Sequence, residues 1–279
     1  MIHGQSPKGR SAMTDGTYTR YVAIGDSQTE GVGDGDDLTG LRGWADRLAE
    51  RLARTNPELR YANLAVRGKL AQQIRTDPLD AALSLRPDLV TVLAGMNDLL
   101  RPNFDPDATA DHVEAMFAAF ASTGAVVGTL TFPDVGNTIP LARPIRGRIA
   151  ILNDRVSAAA ARHGVIVAET GRHAVVSDPR MWSPDRLHAS PMGHQRIADA
   201  MAEALRLPGA DDAWTRPLHP ALPEPGVLRT VANELQWAAT ALGPWALRRL
   251  RGLSSGDDRV AKRPEPLPIR SAGSPPISR

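Results

Sequence analysis

Five short runs rich in Val, Ile, Leu and Ala alternate with longer amphipathic stretches, and this alternation most narrows the folds open to the chain. The runs lie at 21–24, 60–64, 89–93, 125–130 and 165–168. Short, mainly apolar runs of this kind read as buried parallel strands. Helical spacing fills the gaps at about 41–55, 69–83, 107–122 and 145–163, and a closing helix follows at about 193–207. Parallel neighbours need a crossover connection, normally a helix, so the pattern predicts an α/β class fold, a three-layer α/β/α sandwich. In such sheets the ligand site lies beyond the carboxyl ends of the strands.

With 279 residues the chain exceeds one such domain. The expected organisation is a flexible leader at 1–19, with Met13 as an alternative start, and the α/β domain at 20–207. A Pro-rich linker at 208–226, a helical extension at 227–253 and a disordered basic tail at 254–279 follow. The extension spaces Leu228, Val231, Leu235, Ala238, Leu242, Trp245 and Leu250 as one helical face, with Pro244 expected to kink or break it. Of the net charge of +2, residues 226–279 supply nine Lys and Arg against four Asp and Glu, so the basic character belongs to the tail. With only 4% aromatic residues, the composition argues against a nucleic-acid partner. Zero cysteines exclude a disulfide scaffold and a cysteine nucleophile. No run approaches the ~20 apolar residues of a membrane span, and residues 1–20 lack a signal-peptide core; the expected location is cytoplasmic.

The first run leads directly into Gly25-Asp26-Ser27-Gln28, which puts a serine at the carboxyl end of a strand. Gly25 permits a tight turn there, and Ser27 can offer both a hydroxyl to attack and an N–H to a developing oxyanion. Late in the domain, Asp185 stands three residues before His188, a spacing that lets the carboxylate fold back onto Nδ1 and leave Nε2 free as a base. His173 and His194 are the rival histidines; His188 is preferred for its Asp partner. Gly68 after the second run and Asn97 after the third are candidate oxyanion donors. Singly, each has an ordinary structural reading, as helix cap or turn residue.

Taken together, Gly25-Asp26-Ser27, Gly68, Gly95-Met96-Asn97-Asp98 and Asp185-Arg186-Leu187-His188 occur in one order over residues 20–207, and there the chain resembles the SGNH hydrolases, a GDSL-like family. The resemblance implies a flavodoxin-like five-stranded sheet of order 2-1-3-4-5. It also implies a metal-independent ester hydrolase with no cofactor, working on a small-molecule ester through Ser27, His188 and Asp185, with Ser27, Gly68 and Asn97 as the oxyanion hole. It does not choose among esterase, lipase, thioesterase and deacetylase. Many relatives have Leu or Ile where this chain has Gln28, and Asp98 is assigned a supporting role.

Two other functions stand against this reading. One is a metal-dependent phosphoesterase, since the Asp and Asn motifs resemble metal-presenting ones; the other is a non-catalytic binding protein on the same fold. Substrate choice is expected to lie in loops 34–42, 99–106 and 132–146, with Trp182 either walling the acyl pocket or packing in the core. For 227–253 the competing expectations are a helix packed on the domain and a peripheral membrane or protein contact, the first preferred.

Overall fold

The structure, a computed structural model, describes residues 17–134, 136, 139–223, 226–250 and 254–269. Its centre is a mixed sheet of six strands in the order β5-β4-β3-β1-β2-β6. The strands are β1 (Arg20–Gly25), β2 (Arg60–Asn63), β3 (Leu89–Leu93), β4 (Val126–Leu130), β5 (Ile166–Ala168) and β6 (Arg263–Pro268). The first five are parallel and stand in the expected order 2-1-3-4-5. β1 is central, pairing Tyr21 with both Tyr61 and Leu89. Val22, Ala23, Ile24, Leu89, Val90 and Val92 are fully enclosed, which explains why these strands read as continuous apolar runs.

The helices are α1 (Ser27–Glu30), α2 (Trp44–Thr55), α3 (Ala71–Thr76), α4 (Pro78–Ser84), α5 (Met96–Leu99), α6 (Pro106–Ser122), α7 (Arg146–His163) and α8 (Pro191–Ala204). They pack on both faces of the sheet. The stretch expected as a single helix at 69–83 is two, because Pro78 has no N–H to continue α3 and instead starts α4. α2 turns Trp44, Leu48 and Leu52 onto the core, and Tyr21 stacks on Tyr61 with ring centroids 5.0 Å apart. No described helix is long and apolar enough to cross a membrane.

Both flanking regions depart from expectation. The sixth strand, absent from the five-stranded reading, comes from residues expected to be a disordered tail: β6 pairs antiparallel with β2, Leu267 opposite Tyr61 and Arg263 opposite Asn63. Its sequence Arg-Pro-Glu-Pro-Leu-Pro hides a strand because Pro is rare in sheets. Here Pro occupies every second position, so the three missing donors fall on one side, which an edge strand tolerates and which also blunts the edge. Arg263 adds a bond from Nε to the Tyr61 carbonyl (2.8 Å) and lies over the Tyr61 ring.

The stretch expected as a linker is likewise packed. Trp214 is buried, donates from Nε1 to Glu203 (2.5 Å) and meets the His173 ring edge-on. Tyr18, within the expected leader, is also buried; residues 1–16 and 270–279 lie outside the described residues. The extension forms α9 (Val227–Trp237), a π-helical turn (Ala238–Leu242) and α10 (Gly243–Leu250). Pro244 accounts for the turn: a residue without an N–H cannot continue the i→i−4 ladder, and a wider turn just before it relieves the clash. Arg251 and Leu253, at the end of that expected helix, lie outside the described residues.

Candidate active site

At the end of β1 the chain turns at Gly25, where any Cβ would press against Thr29 Oγ1 at 2.5 Å and the Leu93 carbonyl at 2.6 Å. That close approach lets Asp26 cap the single turn α1, its carboxylate accepting from the Gln28 N–H at 3.2 Å. Ser27 is thus the first residue of a helical turn at a strand end, lining a cavity of about 580 Å³. Asp26 is buried as the cap, and Ser27 lines the cavity.

The loop before α8 brings His188 to the same cavity. His188 Nδ1 donates to Asp185 Oδ2 at 2.6 Å. Asp185 Oδ1 accepts three further bonds, from Ser183 Oγ (2.6 Å), Leu187 N–H (2.9 Å) and His188 N–H (3.0 Å). Burial raises the affinity of Asp185 for a proton, but the bonds from His188 and Ser183 outweigh it and hold the carboxyl well below the usual range. An ionised carboxylate only accepts, so Nδ1 carries a ring proton, and in the neutral ring the lone pair is then on Nε2. Neither His188 Nε2 nor Ser27 Oγ has a hydrogen-bond partner among the described residues.

Gly68 and Asn97 complete the expected group, both lining the cavity. Gly68 takes φ 78°, left-handed backbone that favours glycine, and its N–H, like that of Ser27, has no acceptor among the described residues. Asn97 differs: its Nδ2 donates to Asp26 Oδ2 (3.2 Å) and to the Lys69 carbonyl (3.1 Å), so its amide ties the ends of β1 and the loop after β2 together. Asp98 accepts from the Ala71 N–H (3.0 Å) and anchors the start of α3, a support rather than a reacting group. Burial pushes the Asp26 carboxyl up to about 6, against the Gln28 N–H and nearby His188, which pull it down.

The rival histidines are structural. His194 is enclosed, its Nδ1 accepting from the Trp44 N–H (3.1 Å) and its Nε2 donating to the Val32 carbonyl (3.1 Å). Burial lowers it to about 4, so it is neutral near pH 7. His173 packs on Trp214, outside the cavity lining.

Several contacts that hold the site escaped sequence reasoning, although that reasoning noted Gln28 and Trp182 themselves. Gln28 Nε2 donates to the Leu187 carbonyl (2.9 Å) and Gln28 Oε1 accepts from the Ala189 N–H (3.3 Å). Glu30 is buried and pairs with Arg67, whose N–H also donates to it at 2.7 Å, which fixes the approach to Gly68. Trp237 of α9 donates from Nε1 to the Asp185 carbonyl (2.7 Å), and Arg186 pairs with Glu234 while lying over the Trp237 ring. Arg186 has φ 56°, a left-handed conformation costing roughly 1 kcal/mol in a residue with a Cβ, and these contacts to α9 hold it there. Trp182 lines the cavity, its Nε1 on the Val176 carbonyl (2.8 Å). Residues from 132–146 and Leu100 reach the cavity, whereas loop 34–42 forms a small hairpin and contributes none of the lining.

An α/β/α sandwich with a Ser, an Asp-oriented His and unpaired N–H groups at the strand ends has the makings of a hydrolase. The chain matches the GDSL-like lipase/acylhydrolase family over residues 23–196 and belongs to it, as an ester hydrolase of the SGNH type. No curated protein sequence matches it. Among solved structures it is similar to an acetylxylan esterase from Geobacillus stearothermophilus, at 18% identity and TM-score 0.58, covering 73% of this chain and 99% of that one. A lipase/acylhydrolase from Enterococcus faecalis matches at 22% and 0.56, covering 67% and 95%. An alpha/beta hydrolase enzyme from the metagenome of Lake Arreo, Spain, matches at 23% and 0.57, with the same coverage of 67% and 95%. At such identities the likeness is one of fold, and roughly a quarter to a third of this chain lies outside it.

Proposed function

We propose that the chain is a serine esterase that forms an acyl-enzyme on Ser27. The observation that carries this reading is the Asp185–His188 pair at 2.6 Å, with Nε2 unpaired, on the same cavity as the unpaired Ser27 hydroxyl. Ser27 Oγ attacks the ester carbonyl as its proton passes to His188 Nε2, and Asp185 stabilises the imidazolium. The oxyanion meets the Ser27 and Gly68 N–H groups. Asn97 joins them by sharing the hydrogen that now reaches Asp26 over 3.2 Å, a long bond that loses little by bifurcating. The carbon–oxygen bond to the alcohol then breaks, and His188 gives that alcohol its proton. Water enters, loses a proton to His188 and adds to the acyl carbon; the bond to Ser27 Oγ then breaks, His188 returns the proton to Oγ, and the carboxylic acid leaves.

No metal enters these steps. Among the described residues no three His, Asp or Glu side chains are grouped to hold one, which weighs against a phosphoesterase. The test is labelling by a fluorophosphonate together with turnover of short p-nitrophenyl esters. Labelling and turnover are expected to vanish together in Ser27→Ala and to survive a chelator. Turnover that persists in Ser27→Ala, or that a chelator abolishes, overturns the reading.

A further inference from the structure

The family match ends at residue 196, yet the cavity beside Ser27 is closed by residues beyond it. α9 is fastened at one wall through Trp237 on the Asp185 carbonyl and Glu234 on Arg186. Thr240, Pro244 and Arg248 of the π-helical turn and α10 then line the cavity from above. At the opposite wall Ser255 lines it beside Gly68, and β6 secures the end of the segment on β2. The described parts of the extension therefore add walls to the cavity beside Ser27 at both of these places.

What the cavity can hold follows from its walls. Leu100, Leu130, Phe132, Ile145, Val176 and Ile197 are apolar and come from five separate segments. The polar side chains along it outside the candidate catalytic group are mostly spent within the protein. Thr131 Oγ1 accepts from the Gly171 N–H, Thr170 Oγ1 donates to the Thr131 carbonyl, and Thr240 Oγ1 donates to the Gln236 carbonyl. Arg67 is held by Glu30 and Asp37. A sugar in such a space would lose its water and find few partners for its hydroxyls. An acetyl group, with only three heavy atoms, would leave most of the 580 Å³ unfilled.

We propose that this cavity is an acyl-chain site roofed by the C-terminal helices, and that the enzyme cleaves esters of medium- to long-chain fatty acids in preference to acetyl esters. The proposal rests on the serine-esterase reading and narrows its substrate class. Each methylene moved from water into such walls is worth up to roughly fourfold in binding, so the preference grows along a series.

The test is kcat/KM of the full chain on p-nitrophenyl acetate, butyrate, octanoate and dodecanoate. It is expected to rise from acetate to octanoate by at least a hundredfold. Two variants that fill the space from opposite sides, Ala142→Phe in the wall and Thr240→Phe in the roof, are expected to lower the octanoate-to-acetate ratio at least tenfold. Two are used so that a folding failure in one leaves the other to be read. Turnover fastest on acetate, with labelling at Ser27 intact, overturns the acyl site and leaves the serine esterase standing. Ratios unmoved in both folded variants also overturn it. Turnover of none of the esters overturns both readings.

Discussion

Gln28 holds the backbone on both sides of His188, its Nε2 on the Leu187 carbonyl at 2.9 Å and its Oε1 under the Ala189 N–H at 3.3 Å. One amide side chain thereby sets the residue after Ser27 against the loop that carries the base. Gln28→Leu keeps most of the volume but loses both bonds and leaves a carbonyl and an N–H to find other partners. The expected result is a fall in kcat of about tenfold, or about 1.4 kcal/mol in the barrier, with KM within a factor of two. A merely structural role would lower the melting temperature and leave kcat per folded molecule untouched.

Asp185→Asn tests the orienting carboxylate, and the structure dictates which way the amide must face. Oδ1 receives two backbone N–H groups and the Ser183 hydroxyl, so an oxygen has to stay there. The NH₂ then meets His188 Nδ1 and forces the ring proton onto Nε2, the wrong tautomer for a base. Turnover is expected to drop on the order of a thousandfold with the loop in place. A drop below about tenfold would reduce Asp185 to a loop brace.

How much of this was legible in the sequence depended on the kind of signal. The parallel strands showed themselves because enclosure on both faces favours short, mainly apolar runs; Ser27, Gly68 and Asn97 were read from their places at strand ends, and His188 from the Asp three residues before it. β6 did not show, since its pattern is Pro at every second residue rather than apolar side chains. The position of Gln28 was visible as a departure from relatives, but its two bonds span about 160 residues of sequence and leave no local trace. Pro244 marked the break in the extension, though not that the break would lie over the cavity.

His194 and His188 part on stability as well as on chemistry. His188→Ala is expected to abolish turnover in a folded protein. His194→Ala strands the Trp44 N–H and the Val32 carbonyl, each costing about 1–3 kcal/mol when left unpaired, so it should lower stability and spare kcat per folded molecule. The pH dependence carries a sign. Burial lowers His194 from 6.5 to about 4, so the unfolded state binds the proton first and destabilises the fold as pH falls through that window. Stability should be fully present above about 6.5 and decline towards pH 4. In His194→Ala that part of the decline should be missing from denaturant titrations, and an unchanged slope would show that other groups set it.

The extension was expected either to pack on the domain or to make a peripheral membrane or protein contact; whether it also supports the site is tested by a chain ending at Leu207. A peripheral addition would leave turnover of a small ester intact. The geometry predicts otherwise, because that cut removes β6 from the sheet edge, Trp237 from the Asp185 carbonyl and Glu234 from Arg186. Freed of its partners, Arg186 at φ 56° has little to hold its conformation, and the loop that aims His188 loses its outer support. The shortened chain should melt earlier and lose at least tenfold in kcat on p-nitrophenyl butyrate. Since it can also fail to fold, two milder changes accompany it. Trp237→Phe keeps the packing and removes the bond to Asp185; Trp237→Ala removes both. Trp237 is buried to 5% exposure, so the second change should cost about 3–5 kcal/mol of local stability and most of the turnover, and the first a smaller share of each. Full butyrate turnover in the shortened chain, or in Trp237→Ala, would show that the extension is not needed to hold the base in place.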